Sequence, residues 1–309
     1  MSRTRFLASI VGAASFLTAW SGAVSAVPLH PPVVDGPANQ TLPFSSGSYL
    51  VWTQNEPGAR NDYNAFIRPI GGGPKTQINA RGDGFTGSFD LGTDTMIYQQ
   101  AQRQRSDLFL YDAVAGTRTG LPSRINSKHW EWAPRLSGTH ILFARDVGRR
   151  TRLLLYDRST RTIVAVLADV DRRRVYLTSG GVGDEYATWT TCDAKSCIAR
   201  VHRISTGRTR AIPGPGVRPQ YAPVVDEATS TTYWVTSGFG CGESVNIWRA
   251  PVADLNDRTK VTSFPNRIDT GLTIALAPNL DTLGTDLWFT RVDCREQQED
   301  VWGLRGVQP

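Results

Sequence analysis

One short apolar word recurs along the chain, each time ending in an apolar or aromatic residue followed by a small or polar one. The copies are Leu50-Val51-Trp52-Thr53, Met96-Ile97-Tyr98-Gln99, Ile141-Leu142-Phe143-Ala144, Ala187-Thr188-Trp189-Thr190, Tyr233-Trp234-Val235-Thr236 and Leu287-Trp288-Phe289-Thr290. Their third positions lie 46, 45, 46, 46 and 54 residues apart, and Val235 departs from the aromatic rule with Trp234 beside it. Short runs of this composition, bounded by turn residues, predict strands. A second strand follows each copy after a polar loop: Ala65–Arg68, Leu108–Asp112, Leu153–Asp157, Ala199–His202, Asn246–Arg249 and Asp300–Gly303. Turn chemistry comes next, as in Ala115-Gly116-Thr117, Ser159-Thr160-Arg161 and Ser205-Thr206-Gly207, and then another short strand. Past the N-terminus no stretch keeps a 3.6-residue apolar period.

Six copies over about 283 residues (309 − 26) is roughly 47 residues each, the size of a four-stranded propeller blade. A blade cannot bury both faces alone, and a ring gives every blade two neighbours. A β-sandwich shows similar strands but not six repeats at 45 or 46 residues. The pattern therefore predicts an all-β, six-bladed β-propeller of four-stranded blades over residues 27–309. The sixth copy ends near Gly303, with no room for an outer strand before Pro309. Residues around Pro32 to Thr41 precede the first blade and have no blade of their own. The expectation is that this N-terminal segment supplies the outer strand of the sixth blade and covers its edge. Pro31-Pro32 would then sit at a strand end, where a missing N–H costs little.

Three copies carry Ala-Pro ahead of the aromatic strand, at Ala133-Pro134, Ala222-Pro223 and Ala277-Pro278, with a turn such as Leu136-Ser137-Gly138 after it. This unit of Pro, turn, aromatic strand, loop and Leu-Tyr-Asp strand resembles the TolB-type, WD-repeat-like propeller repeat. The resemblance is strongest over Trp132 to Asp157, recognisable over Gly87 to Asp112 and degenerate elsewhere. It covers only the propeller of TolB proper, since the chain has no room for the smaller N-terminal domain of that family. What it implies is blades, not an activity.

Composition adds the compartment. Arg3 and Arg5, the apolar stretch Phe6 to Trp20 and the small-residue pattern Val24-Ser25-Ala26 read as a secretory signal peptide over residues 1–26. Ser9, Gly12, Ser15 and Thr18 interrupt the stretch, which is short for a membrane span, so no integral membrane segment is expected after cleavage. The expected location is secreted or extracytoplasmic, in the envelope of a bacterium. The formal charge falls from +6 to +4 once Arg3 and Arg5 are removed, a mild excess that points to solubility and away from nucleic acid. The 30 Arg against 4 Lys are what a GC-rich genome produces. Cys192, Cys197, Cys241 and Cys294 are even in number and exported, so they predict disulfides. Cys192 and Cys197 flank one hairpin loop, while Cys241 and Cys294 occupy the equivalent loops of adjacent blades, giving pairs 192–197 and 241–294.

The candidate chemistry is sparse. There is no nucleophile elbow, zinc motif or phosphate loop, and His30, His129, His140 and His202 are scattered, so neither metal nor cofactor is expected. Ser88 to Thr95 fits the Asp box of six-bladed sialidases, but it occurs once and falls on a turn that the repeat already requires. Nine arginines crowd the third blade between Arg145 and Arg174, a solvated rim or an anion-attracting surface. The inner strands, expected near 84–89, 128–133, 174–178, 218–223 and 273–277, bring Trp130, Glu131, Trp132, Arg174, Tyr176, Arg218 and Tyr221 toward the channel mouth. Aromatic faces with Arg suit a sugar or a carboxylate-bearing ligand. The expected function is a binding or scaffold module for a glycan, acidic polymer or protein in the envelope or outside the cell. The alternative is a glycosidase or polysaccharide lyase with Glu131 and Asp90 as its acids.

Overall fold

A computed structural model of the chain describes residues 38–55, 63–80, 82–90, 93–102, 105–214, 220–236, 246–262, 268–279, 284–293 and 298–307. The expected signal segment, Arg218, Cys241 and Cys294 lie outside them. All regular structure among the described residues is β-strand, and none of it is a helix long and apolar enough to cross a membrane.

The strands form successive antiparallel meanders. The first is β1 (Asn39–Ser45), β2 (Tyr49–Asn55), β3 (Tyr63–Pro69) and β4 (Thr76–Gln77), hydrogen-bonded in that order. The second is β5 (Asp83–Phe89), β6 (Thr95–Gln102), β7 (Arg105–Asp112) and β8 (Thr117–Gly120), and the third is β9 (Trp130–Leu136), β10 (His140–Val147), β11 (Arg150–Asp157) and β12 (Thr162–Asp171). A single parallel bridge, Ser106 to Trp130, joins these two. The fourth is β13 (Tyr176–Val182), β14 (Tyr186–Cys192), β15 (Cys197–Arg203) and β16 (Arg208–Ala211); the fifth is β17 (Gln220–Asp226), β18 (Thr231–Thr236), β19 (Asn246–Pro251) and β20 (Thr259–Lys260). Among the described residues the last has three strands, β21 (Ile268–Asn279), β22 (Gly284–Asp293) and β23 (Gln298–Val307).

The recurrent apolar word is the second strand of every meander. Its aromatic position (Trp52, Tyr98, Phe143, Trp189 and Phe289, with Val235 and Trp234 in the fifth) is at most 2% exposed. A second strand has a partner on each edge and a neighbouring sheet on each face, so both of its faces are apolar. Each such side chain contributes about 1.5–3 kcal/mol on burial, which explains why the word tolerates little polarity.

The first strands share a different feature. Each ladder is interrupted at the same height, after Thr41, Thr86, Trp132, Ser179, Tyr221 and Thr270. The intervening pairs include Leu42-Pro43, Ala133-Pro134 and Ala222-Pro223, with Leu42, Ala133 and Ala222 at φ of 52°, 47° and 47°. Proline has no N–H to lose there, so each such interruption costs the ladder one donor fewer. In the fourth meander the pair is Gly180-Gly181, and a Cβ on Gly180 would come within 1.9 Å of the Pro223 carbonyl. Hydroxyls cross between sheets at this level: Thr86 Oγ1 donates to the Leu42 carbonyl at 2.6 Å, and Ser179 Oγ to that of Ala133 at 2.5 Å.

Two sequence expectations change. Ala277-Pro278 is not the third copy of the interrupted pair, because it lies inside the regular β21–β22 ladder opposite Asp286 and Thr285. Residues 39–41 do not lack a sheet: they open β1, where Asn39, Gln40 and Thr41 pair with Asn55, Gln54 and Thr53. The pattern hid this strand because Leu42-Pro43 breaks its alternation. β1 also lies against β21, β22 and β23, so the two ends of the described chain meet.

At the end where first strands turn into second strands, side chains tie each turn to the next. Ser46 Oγ donates to Asp94 Oδ1 at 2.6 Å, and Thr139 Oγ1 to Asp184 Oδ1 at 2.7 Å. The Glu227 carboxylate accepts the N–H groups of Asp184, Glu185 and Tyr186 at 2.8–3.0 Å. Asp90, in the solitary Asp-box match, is held at 2.7 Å by Arg158 of the third meander.

Candidate functional site

The opposite end, where the first strands begin, carries most of the sequence-predicted site. Trp132 of β9 and Tyr176 of β13 face each other across adjacent meanders, with ring centroids 6.2 Å apart and planes inclined by 31°. Tyr176 is 56% exposed, the most open aromatic ring among the large exposed apolar residues. The Trp132 indole N–H donates to Asp146 Oδ1 at 3.3 Å, Thr151 Oγ1 donates to the same oxygen at 2.6 Å, and Arg172 pairs with Oδ2 at 3.0 Å. Asp146 therefore fixes the indole, which is half-buried against the core between the third and fourth meanders. β-Pairing explains the cluster: Asp146 stands opposite both Trp130 of β9 and Thr151 of β11.

Tyr176 also stands opposite Cys192, which forms a disulfide with Cys197, its own partner across the β14–β15 ladder. Asp193 caps the intervening turn by accepting the Lys195 and Ser196 N–H groups, both at 2.8 Å, and these bonds hold its carboxyl below the usual range. The bridge thus closes a rigid hairpin beside the exposed ring. Arg174 is exposed at the entry to β13, and Trp130 is half-buried.

Two of the predicted residues point elsewhere. Tyr221 is 7% exposed and packs in the cluster of Val224, Tyr233 and Phe289, because the alternation of β17 turns it into the space between sheets. Glu131 is fully buried: its Oε1 accepts Ser127 Oγ at 2.5 Å and Arg145 Nε at 2.8 Å. Arg145 in turn donates to the carbonyls of Arg124 and Ile125 at 2.7 and 2.9 Å, and Ser106 Oγ reaches the Glu131 carbonyl at 2.6 Å. This network ties β9 to β7 and to the segment leading into β9.

Glu131 and Asp90 are also far apart. Arg158 Nη1 holds Asp90 together with the Ser137 and Gly138 carbonyls, past the end of β9, whereas Glu131 is near its start. Six residues of strand separate these places by about 20 Å. Paired glycosidase carboxylates stand about 5–9.5 Å apart. Among the described residues no group of three His, Cys, Asp or Glu side chains converges.

Sequence reasoning did not single out Arg135. Its guanidinium is buried, donates to the Gly180 carbonyl at 2.6 Å and to that of Pro134 at 2.8 Å, and lies 4.6 Å over the Phe44 ring. Desolvation pulls its pKa down to about 10. The side chain links the first, third and fourth meanders. Its place directly after Ala133-Pro134 was the available signal, since the interruption re-aims the next side chain.

No family model matches the chain, and no curated protein matches it in sequence. Its fold is similar to solved β-propellers. TolB from Acinetobacter baumannii matches with a TM-score of 0.57 and 12% identity, over 85% of this chain and 65% of TolB. The β-propeller domain of the trilobed protease from Pyrococcus furiosus matches with a TM-score of 0.58 and 8% identity, over 88% of this chain and 97% of that domain. An oligogalacturonate lyase in complex with manganese matches with a TM-score of 0.50 and 13% identity, over 87% and 79%. The chain is a β-propeller of TolB-like fold. At these identities the likeness carries the fold alone, and the three proteins differ in what they do.

Proposed function

We propose that this protein is an exported six-bladed propeller that holds a hydroxyl-rich or anionic ligand at the edge of its channel mouth, as a binding module. The N-terminal segment before β1 completes the three-stranded last blade, and the contact of β1 with β21–β23 supports that closure. The observation that carries the binding reading is the Trp132–Tyr176 pair, in which the exposed Tyr176 ring stands beside a half-buried indole fixed by Asp146, with Arg172 and Arg174 on the rim. Flat rings beside guanidinium groups suit sugars that carry carboxylates. A protein or glycan of the envelope is the class of partner proposed.

The reading favours binding over hydrolysis or elimination because Glu131 is committed to Arg145 and stands about 20 Å from Asp90 along the strand direction. Calorimetric titration of acidic oligosaccharides and muropeptides tests it. Stacking contributes about 0.5–1 kcal/mol at an exposed site and a charge-assisted bond roughly 1.5–3. Trp132→Ala with Tyr176→Ala, and Arg174→Ala with Arg218→Ala, should each weaken binding by about tenfold or more. Equal affinity in all three proteins refutes the mouth site, and turnover of any of these ligands moves the case to the enzyme.

A further inference from the structure

A groove lies at the other end of the fourth blade. It has a volume of about 560 Å3 and runs between the fourth and fifth blades, lined by Tyr186, Arg203, Thr206, Arg208, Arg210 and Ser230 among others. The hairpin register builds its charged wall. Arg203 stands directly opposite Tyr186 on one side and Arg208 on the other, and Arg210 stands opposite Val201, so all three guanidinium-bearing positions share one face of the sheet.

Like charges directly opposite each other destabilise a ladder. Glu185 compensates one of them: it pairs with Arg203 Nε, which holds the Glu185 carboxyl below its usual range, and it also accepts Ser205 Oγ at 2.9 Å. Arg210 is anchored by neutral groups, donating to the Val252 and Ala253 carbonyls of the fifth blade. Arg208 is exposed and forms no ion pair among the described residues. Two guanidinium groups are thus left without a carboxylate, two residues apart on β16, which is about 7 Å along the strand.

We propose that this groove binds an oligo-anion through Arg208 and Arg210, the class that fits being an acidic saccharide with carboxylates on successive units. A compact ion such as phosphate reaches only one of the two positions. The Tyr186 ring and the Thr206 and Ser230 hydroxyls supply the surface that sugar rings and hydroxyls require. The groove and the mouth lie at opposite ends of β15, about 20 Å apart, so a ligand can occupy either alone.

The test is calorimetric titration of the intact protein with trigalacturonate and, separately, with inorganic phosphate. Trigalacturonate should bind at least tenfold more tightly than phosphate. Arg208→Ala removes a side chain with no structural partner and should weaken trigalacturonate about tenfold or more with an unchanged melting temperature, since a charge-assisted bond is lost. Arg149→Ala, an exposed loop arginine elsewhere, should leave affinity unchanged, and the Arg208→Ala loss should persist in a Trp132→Ala background, where the mouth is disabled. Equal losses in the Arg208 and Arg149 variants would reduce the effect to general surface charge and overturn the inference. A loss confined to Trp132→Ala would overturn it while leaving the mouth reading intact. Absence of trigalacturonate binding, or equal binding of phosphate, overturns it as well.

Discussion

The buried Glu131–Arg145 pair separates a structural role from a catalytic one. Glu131 is fully buried, the Arg145 side chain is 13% exposed, and one carboxylate oxygen receives both Arg145 Nε and Ser127 Oγ. Removing the carboxylate by Glu131→Ala leaves a guanidinium in a poorly solvated place, with the carbonyls of Arg124 and Ile125 and the Phe143 ring as its remaining partners. Breaking one side of such a pair costs about 3–5 kcal/mol. For a chain of this size that is a fall in melting temperature of roughly 10 °C. Arg145→Met should cost a similar amount, because it strands a buried carboxylate. Replacing both with apolar residues of matching bulk, Glu131→Leu with Arg145→Met, should recover most of the loss, as both desolvation costs vanish together. Urea and thermal unfolding of the parent protein, Glu131→Leu, Arg145→Met and the double variant completes the cycle, with Glu131→Ala measured beside it. Costs below about 1 kcal/mol for either single variant, or strictly additive costs, would refute the buried-pair reasoning. A stable Glu131→Ala protein that had lost a measurable turnover would restore the catalytic assignment.

The hairpin disulfide closes a short loop, so Cys192→Ser with Cys197→Ser should cost about 2 kcal/mol, read by denaturant unfolding, and non-reducing peptide mapping should find Cys241 joined to Cys294. Asp157 is held low by the Ser159 hydroxyl and the Thr160 N–H, Asp169 by Arg150, Glu185 by Arg203 and Asp193 by its turn. Their contribution is present above the ordinary carboxylate value near 4 and is lost as pH falls through the lower folded values, so melting temperature should hold between pH 5 and 7 and drop below about 4. Ala133→Gly should be neutral or stabilising by up to about 1 kcal/mol, because φ is 47° there; a loss resembling that of glycine in an ordinary strand would show the backbone to be unstrained. N-terminal sequencing of protein recovered outside the cytoplasm should begin at Val27, and retention of Met1 would refute cleavage after Ala26.

Much of the fold was legible because the sequence repeats what burial demands. A strand covered on both faces must be apolar along its length, so Val51-Trp52, Ile97-Tyr98 and Leu142-Phe143 announce themselves at a spacing of one blade. Turns are equally explicit: Asp112 and Asp157 each accept two N–H groups ahead of Gly116 and Arg161, which take positive φ. The Cys192–Cys197 bridge followed from the same hairpin logic, four residues between two strand ends. The first strands were harder to read. Each is interrupted midway, so alternation fails, and β1 was lost behind Leu42-Pro43. Alternation also leaves open which neighbours a side chain meets. Glu131 and Trp132 are adjacent in sequence, yet one is sealed with Arg145 and the other opens toward Tyr176. Arg135 depends on Phe44 and Gly180, which are 91 and 45 residues away. Local pattern encodes which segments must be buried, since burial is a property of each strand. The partner of a buried charge or an exposed ring is a property of the packed sheets, and only their juxtaposition decided it.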